Sequence, residues 1–175
     1  MIFVEAHLPG VFEIQIDRKC DQRGFFARTW CQQEFAAHGL ASNLVQCSLS
    51  YNQKKGTLRG LHYQAAPHAE TKLVRCSQGA VYDVVLDLRP NSASYKKWLG
   101  VCLSAAKHNA LYIPKGCAHG FLTLEDDTEV FYQMSEFYEA DSARGVRWND
   151  PAFQIVWPGH VEMISERDAR YPDFE

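Results

Sequence analysis

Short runs rich in Val, Ile, Leu, Phe and Tyr recur along the chain, separated by Gly, Pro, Asn and Ser. That spacing predicts an all-β sandwich or barrel. Strands are expected at 11–16, 44–51, 72–76, 80–88, 98–103, 110–113, 120–123 and 129–134. Period-two alternation sets the faces: Lys72, Val74 and Cys76 share one side of their strand, Leu73 and Arg75 the other. The run 80–88 is almost continuously apolar, so it reads as a strand covered on both faces. One helix is expected over 31–38, with Phe35 in apolar company and Gly39 as its stop. About eight strands in a domain of this size imply a jelly roll with a few short helices. No repeat, linker or low-complexity stretch interrupts the pattern, so a single domain over 1–175 is expected.

The balance of 46% hydrophobic and 22% charged residues is that of an ordinary globular chain. A net charge of −3 supplies no basic field for nucleic acid or an anionic membrane, and neither is expected as a partner. The start, MIFVEAHLPG, has no basic leader, and no apolar stretch approaches the roughly 18 residues of a membrane span. The expected compartment is the cytoplasm. None of the six cysteines forms a C-x-x-C pair, which argues against structural zinc. They are expected as free thiols, with Cys76 and Cys102 in the core.

Candidate chemistry is concentrated in a few segments. Gly56-Thr-Leu-Arg-Gly-Leu-His-Tyr-Gln64 carries Arg59 and His62. Residues three apart face opposite sides of an ideal strand, but Gly60 between them permits a bulge that turns both to one pocket. His62 is then a general base or a half-buried structural histidine. Further on, Pro114, Gly116 and His119 make a P-x-G-x-x-H pattern that resembles the second motif of the cupins, a jelly-roll superfamily. Metal-binding cupins add two ligands from an earlier H-x-H, which here reads His62-Tyr63-Gln64 and lacks its second His. A metal site needs about three or four convergent ligands, so the metal reading is weakened but stays open beside a metal-free pocket. In 129–134, Val130, Tyr132 and Met134 share a face, so Tyr132 is either a general acid or a core tyrosine with a capped hydroxyl. Ser165 and Asp168 form an S-x-x-D that serves as a helix cap or places a carboxylate behind a histidine. Arg23 sits in Asp21-Gln-Arg-Gly-Phe-Phe26, beside a turn glycine and two aromatics. Several converging arginines would suit a diphosphate.

These blocks, in this order, resemble the dTDP-4-dehydrorhamnose 3,5-epimerase family over nearly the whole chain. The resemblance runs through Asp21-Gln-Arg-Gly-Phe-Phe26, Leu58-Arg-Gly-Leu-His-Tyr-Gln64, Lys72-Leu-Val-Arg75, Ile113-Pro-Lys-Gly-Cys-Ala-His-Gly-Phe121, Trp148-Asn-Asp-Pro151, Ile155-Val-Trp-Pro158 and Ser165-Glu-Arg-Asp168. It implies a homodimeric enzyme that needs no metal and no cofactor and acts on a nucleotide-linked 4-keto-6-deoxy sugar. By position, His62 matches the base, Asp168 its orienting partner, Tyr132 the acid and Lys72 the residue beside the substrate carbonyl. His119 matches a sugar contact, and Arg23, Phe26, Gln46, Arg59 and Tyr138 match contacts on the nucleotide side. Four further positions on that side depart from the common pattern. Arg28 and Arg144 stand where many members have Glu, Ser48 where Asn is frequent, and Arg167 where Lys is common. The rival expectations are epimerisation at C3 or C5 alone, a cupin-type 3,4-ketoisomerase, a metal-dependent cupin oxygenase and a non-catalytic sugar-nucleotide binder. The Lys72 and Asp168 matches favour the epimerase over the isomerase, and the incomplete H-x-H disfavours the oxygenase.

Overall fold

The computed structural model describes residues 1–174. Apolar positions bury the central strands, which assemble into two packed sheets. In chain order the strands are β1 (Ile2–Glu5), β2 (Phe12–Gln15), β3 (Lys19–Asp21), β4 (Gly24–Phe26), β5 (Gln46–Asn52), β6 (Thr57–Gln64) and β7 (Lys72–Gln78). There follow β8 (Ala80–Asp87), β9 (Trp98–Ser104), β10 (Ala110–Ile113), β11 (Cys117–Thr123), β12 (Thr128–Met134), β13 (Ala143–Gly145) and β14 (Met163–Ile164). The first sheet has the order β1-β2-β10-β7-β12-β5, and the second β13-β6-β11-β8-β9, with β14 added parallel to β6. A separate hairpin pairs β3 with β4. Helices are short: α1 (Gln32–Ala37) and α2 (Glu166–Ala169). No helix among the described residues is long and apolar enough to cross a membrane.

The jelly-roll expectation holds, with more strands than expected. Six are added: β6, eight residues long over the Arg59–His62 segment, and β1, β3, β4, β13 and β14, which run two to four residues each. A strand that short takes its conformation from its hydrogen-bonded neighbour rather than from its own composition. The face assignments hold too. Val74, Cys76, Val85, Phe121 and Val130 form the core between the sheets, while Leu73 turns outward to pack with Phe35 of α1. In β8 every residue except Tyr82 is buried. Gly79, at φ +69, makes the corner between β7 and β8, where a Cβ would stand 2.5 Å from the Thr128 hydroxyl. Cys102 corrects the expectation of a core thiol: it is exposed, because Leu103 takes the inward position of β9. Cys76 is buried, and burial pushes its thiol up to about 12.

Candidate active site

A bulge in β6 organises the site. Opposite β11, His62 pairs with His119 and Arg59 with Phe121. Three steps on β6 thus span two on β11, so β6 carries one extra residue. Gly60 permits it: its φ is +126, and a Cβ would lie 2.5 Å from the Cα of Gly120. Only glycine tolerates that approach. The offset brings Arg59 and His62 to the wall of one cavity of about 690 Å³ between the two sheets.

His62 and Asp168 form a pair on one side of this cavity. His62 Nε2 lies 2.7 Å from Asp168 Oδ1, while the N–H of Gly60 donates to Asp168 Oδ2 at 3.2 Å. Both expected roles of the S-x-x-D apply at once. Ser165 caps α2 by accepting from the Asp168 N–H at 3.1 Å, and that short helix seats the carboxylate behind the imidazole. Burial alone would raise the Asp168 carboxyl. The His62 hydrogen bond and charge, with the Gly60 N–H and Ser165, outweigh it and hold the carboxyl below its ordinary value. With Nε2–H donated to a carboxylate, the imidazole lone pair resides on Nδ1.

The opposite sheet supplies Lys72 from the first position of β7 and Tyr132 from β12. Burial, then the nearby Asp83 carboxylate, push the Tyr132 phenol well above its usual range, so its proton stays on at neutral pH. The Tyr132 ring meets His119 edge-on, with centroids 5.9 Å apart. His119 Nε2 in turn lies 2.8 Å from Asp83 Oδ2. Asp83 is fully buried; burial raises its carboxyl even though His119 and Lys72 pull the other way. Sequence reasoning missed Asp83. The available signal was an acid among apolar residues inside a run covered on both faces, a place where a carboxylate needs a partner.

Ser48, Arg59, His119 and Arg167 line the same cavity. A second recess of about 400 Å³ adjoins it, sharing Ser48, His62, Lys72, Tyr132 and Arg167 and adding Gln46, Glu70, Tyr138 and Arg144. The Gln46 side chain accepts from the Tyr138 N–H at 3.2 Å, joining two expected nucleotide contacts. Arg59 is fixed by Asn52 Oδ1 at 2.7 Å. The structure does not bring Arg23, Phe26 and Arg28 to either space. Arg23 is paired with its own Asp21 at 2.6 Å, Phe26 is 78% exposed and Arg28 is paired with Glu34 at 2.8 Å, all on or beside the β3–β4 hairpin. Gln64, which replaces the second His of a cupin metal motif, is buried. Its amide donates to the His68 and Phe137 carbonyls and accepts from the Glu139 N–H. It is a staple for the following loop.

The dTDP-4-dehydrorhamnose 3,5-epimerase family model matches residues 5–175. The chain is 45% identical over 152 residues to the dTDP-4-dehydrorhamnose 3,5-epimerase of Escherichia coli (strain K12), covering 86% of this chain and 82% of that protein. Among solved structures it is similar to the dTDP-4-dehydrorhamnose 3,5-epimerase of Bacillus anthracis str. Ames with TDP and PPi bound (TM-score 0.94, 39% identity, 99% of each chain). It is also similar to the dTDP-6-deoxy-D-glucose-3,5-epimerase of Legionella pneumophila Philadelphia 1 in complex with dTDP-4-keto-L-rhamnose. There the TM-score is 0.88 and the identity 33%, covering 96% of this chain and 89% of that one.

Proposed function

The chain belongs to the dTDP-4-dehydrorhamnose 3,5-epimerase family, and from that premise we propose that it inverts C3 and C5 of dTDP-4-dehydro-6-deoxyglucose with His62 as base and Tyr132 as acid. Both carbons flank the C4 carbonyl, so loss of either proton is stabilised as an enolate. The observation that carries the assignment of roles is that His62 and Tyr132 line one cavity from opposite sheets. Inversion requires removal from one face and return on the other. Asp168 fixes the imidazole tautomer and stabilises the imidazolium. Lys72 donates to the developing oxyanion, a contribution of about 3 kcal/mol for one well-placed donor. Each step moves a proton between substrate and side chain, and none requires a metal or cofactor.

Arg59 and Arg167 at the cavity wall suit the diphosphate, since guanidinium matches its oxygens two at a time. Ser48 and His119 line the sugar space; Gln46, Tyr138 and Arg144 line the recess that suits the base. The hairpin residues Arg23, Phe26 and Arg28 reach a site only if a second copy presents them, which with the open sheet edges at β1 and β5 favours a homodimer. Light scattering is expected to give twice the chain mass of 19.9 kDa, and a monomer at micromolar concentration would refute this. Six unpaired thiols suit a reducing cytoplasm.

The deciding experiment incubates the protein with dTDP-4-keto-6-deoxyglucose in deuterated water and follows C3 and C5 by proton NMR. Deuterium is expected at both carbons, with a downstream reductase completing dTDP-L-rhamnose. Exchange at one carbon alone would make it a mono-epimerase, and no exchange would overturn the reading.

A further inference from the structure

We infer that Glu70 is a positioning residue that holds the Lys72 ammonium in place for the reaction. The inference rests on the epimerase reading and adds to it a group outside the proton-transfer set. Lys72 Nζ lies 2.9 Å from Glu70 Oε1, and it donates to the His62 carbonyl at 3.3 Å. An ammonium has three donors. One is committed to the His62 carbonyl, while the Glu70 carboxylate holds the ammonium at ion-pair distance, which leaves donor capacity for the cavity that Lys72 lines. The Lys72 and Glu70 side chains are only 12% and 11% exposed, so the pair is shielded from competing water.

The mount of Glu70 is stiff. The loop between β6 and β7 is stapled at one end by the Gln64 amide, which donates to the His68 carbonyl at 3.0 Å. At the other end the Thr71 N–H donates to Ser135 Oγ at 2.9 Å, and the Ser135 N–H donates to the Thr71 carbonyl at 3.1 Å. Glu70 therefore approaches Lys72 from fixed backbone. A lysine alone is a compact charge on a flexible four-carbon stem. It stabilises an oxyanion efficiently only if it stands where the charge develops before the charge appears. Glu70 also lines the smaller recess, whereas Lys72 lines both, so the contact pins the ammonium at their junction.

A purely structural ion pair predicts a different outcome from a positioning one. Three variants separate them: Glu70→Ala, Glu70→Met, which keeps length without an acceptor, and Glu70→Gln, which keeps the acceptor oxygen. Ala and Met are expected to lower kcat and C3/C5 solvent exchange together by about 30-fold, within the range usual for an outer-shell partner. The loss is expected to fall on kcat and exchange more than on KM. Gln is expected to remain within about threefold of wild type, because its amide oxygen still offers the ammonium a partner at the same reach. If Ala fails to fold, Met against Gln carries the comparison. Wild-type exchange in Met would overturn the inference and leave the epimerase reading standing. So would a loss in Met that Gln shares and that follows the thermal midpoint. No exchange in the wild type would overturn both.

Discussion

His62→Ala is expected to reduce kcat by about 10³-fold, the middle of the range for a positioned general base, with the fold intact. C3 and C5 exchange should fall in parallel, because without a base neither proton leaves. The His62 side chain is 43% exposed, so truncation removes little buried area. The cost falls on Asp168, whose side chain is 6% exposed and loses its closest partner. It keeps the Gly60 N–H, which limits the penalty to about 1–3 kcal/mol. The change has a pH signature. The Asp168 carboxyl is held below its ordinary value in the folded protein, partly by His62. The stability this supplies is fully present above the unfolded carboxyl value of about 3.9 and is lost as pH falls through the lower folded value. Without His62 the folded value moves up and the contribution shrinks, so the variant should lose most stability relative to wild type at neutral pH and least in strong acid. Thermal melts at several pH values, run beside NMR turnover, check both parts. A variant turning over at the wild-type rate would remove His62 from the mechanism.

Tyr132→Phe is expected to separate the two halves of the reaction. The ring and its contact with His119 survive, so the cavity keeps its shape. The base still abstracts a proton, and deuterium still enters the recovered sugar on the base's face. The proton that completes inversion is missing, and net epimerisation should fall by about 10²-fold or more. The Tyr132 hydroxyl suits this task because burial and the Asp83 charge keep it protonated until a strong base, the enolate, forms beside it. The test is the ratio of solvent exchange to inversion in the same NMR tube. Normal inversion in the Phe variant would take the acid role away from Tyr132.

Much of the scaffold was legible in the chain. Two-residue alternation identified the inward faces of β7 and β12, and the apolar run 80–88 marked β8 as covered on both sides. Gly60 between Arg59 and His62 signalled a bulge before any coordinates, because a residue without a Cβ between two polar side chains has few other uses in a strand. The candidate roles of His62, Lys72, Tyr132 and Asp168 came from the resemblance and its motif order, and all four side chains line one cavity.

Other features were beyond a one-dimensional reading. The strands β3 and β13 are stabilised by pairing, not propensity, so their sequences carry little signal. The Asp83–His119 pair joins two strands through contacts 36 residues apart, and the Glu70–Lys72 contact depends on how a stapled loop turns back. Arg23, Phe26 and Arg28 match the family pattern but lie away from this chain's own cavity. The sequence by itself determined the strand periodicity and the one position where a bulge fits, which depend on local sterics, and through the resemblance it named the candidates for the proposed proton transfer. Only the tertiary structure decided that His62 and Tyr132, the proposed base and acid, stand on opposite sheets, that two carboxylates lie behind His62 and His119 and that a third lies against Lys72. Distance and dielectric are properties of the folded space between strands, and no spacing along the chain encodes them.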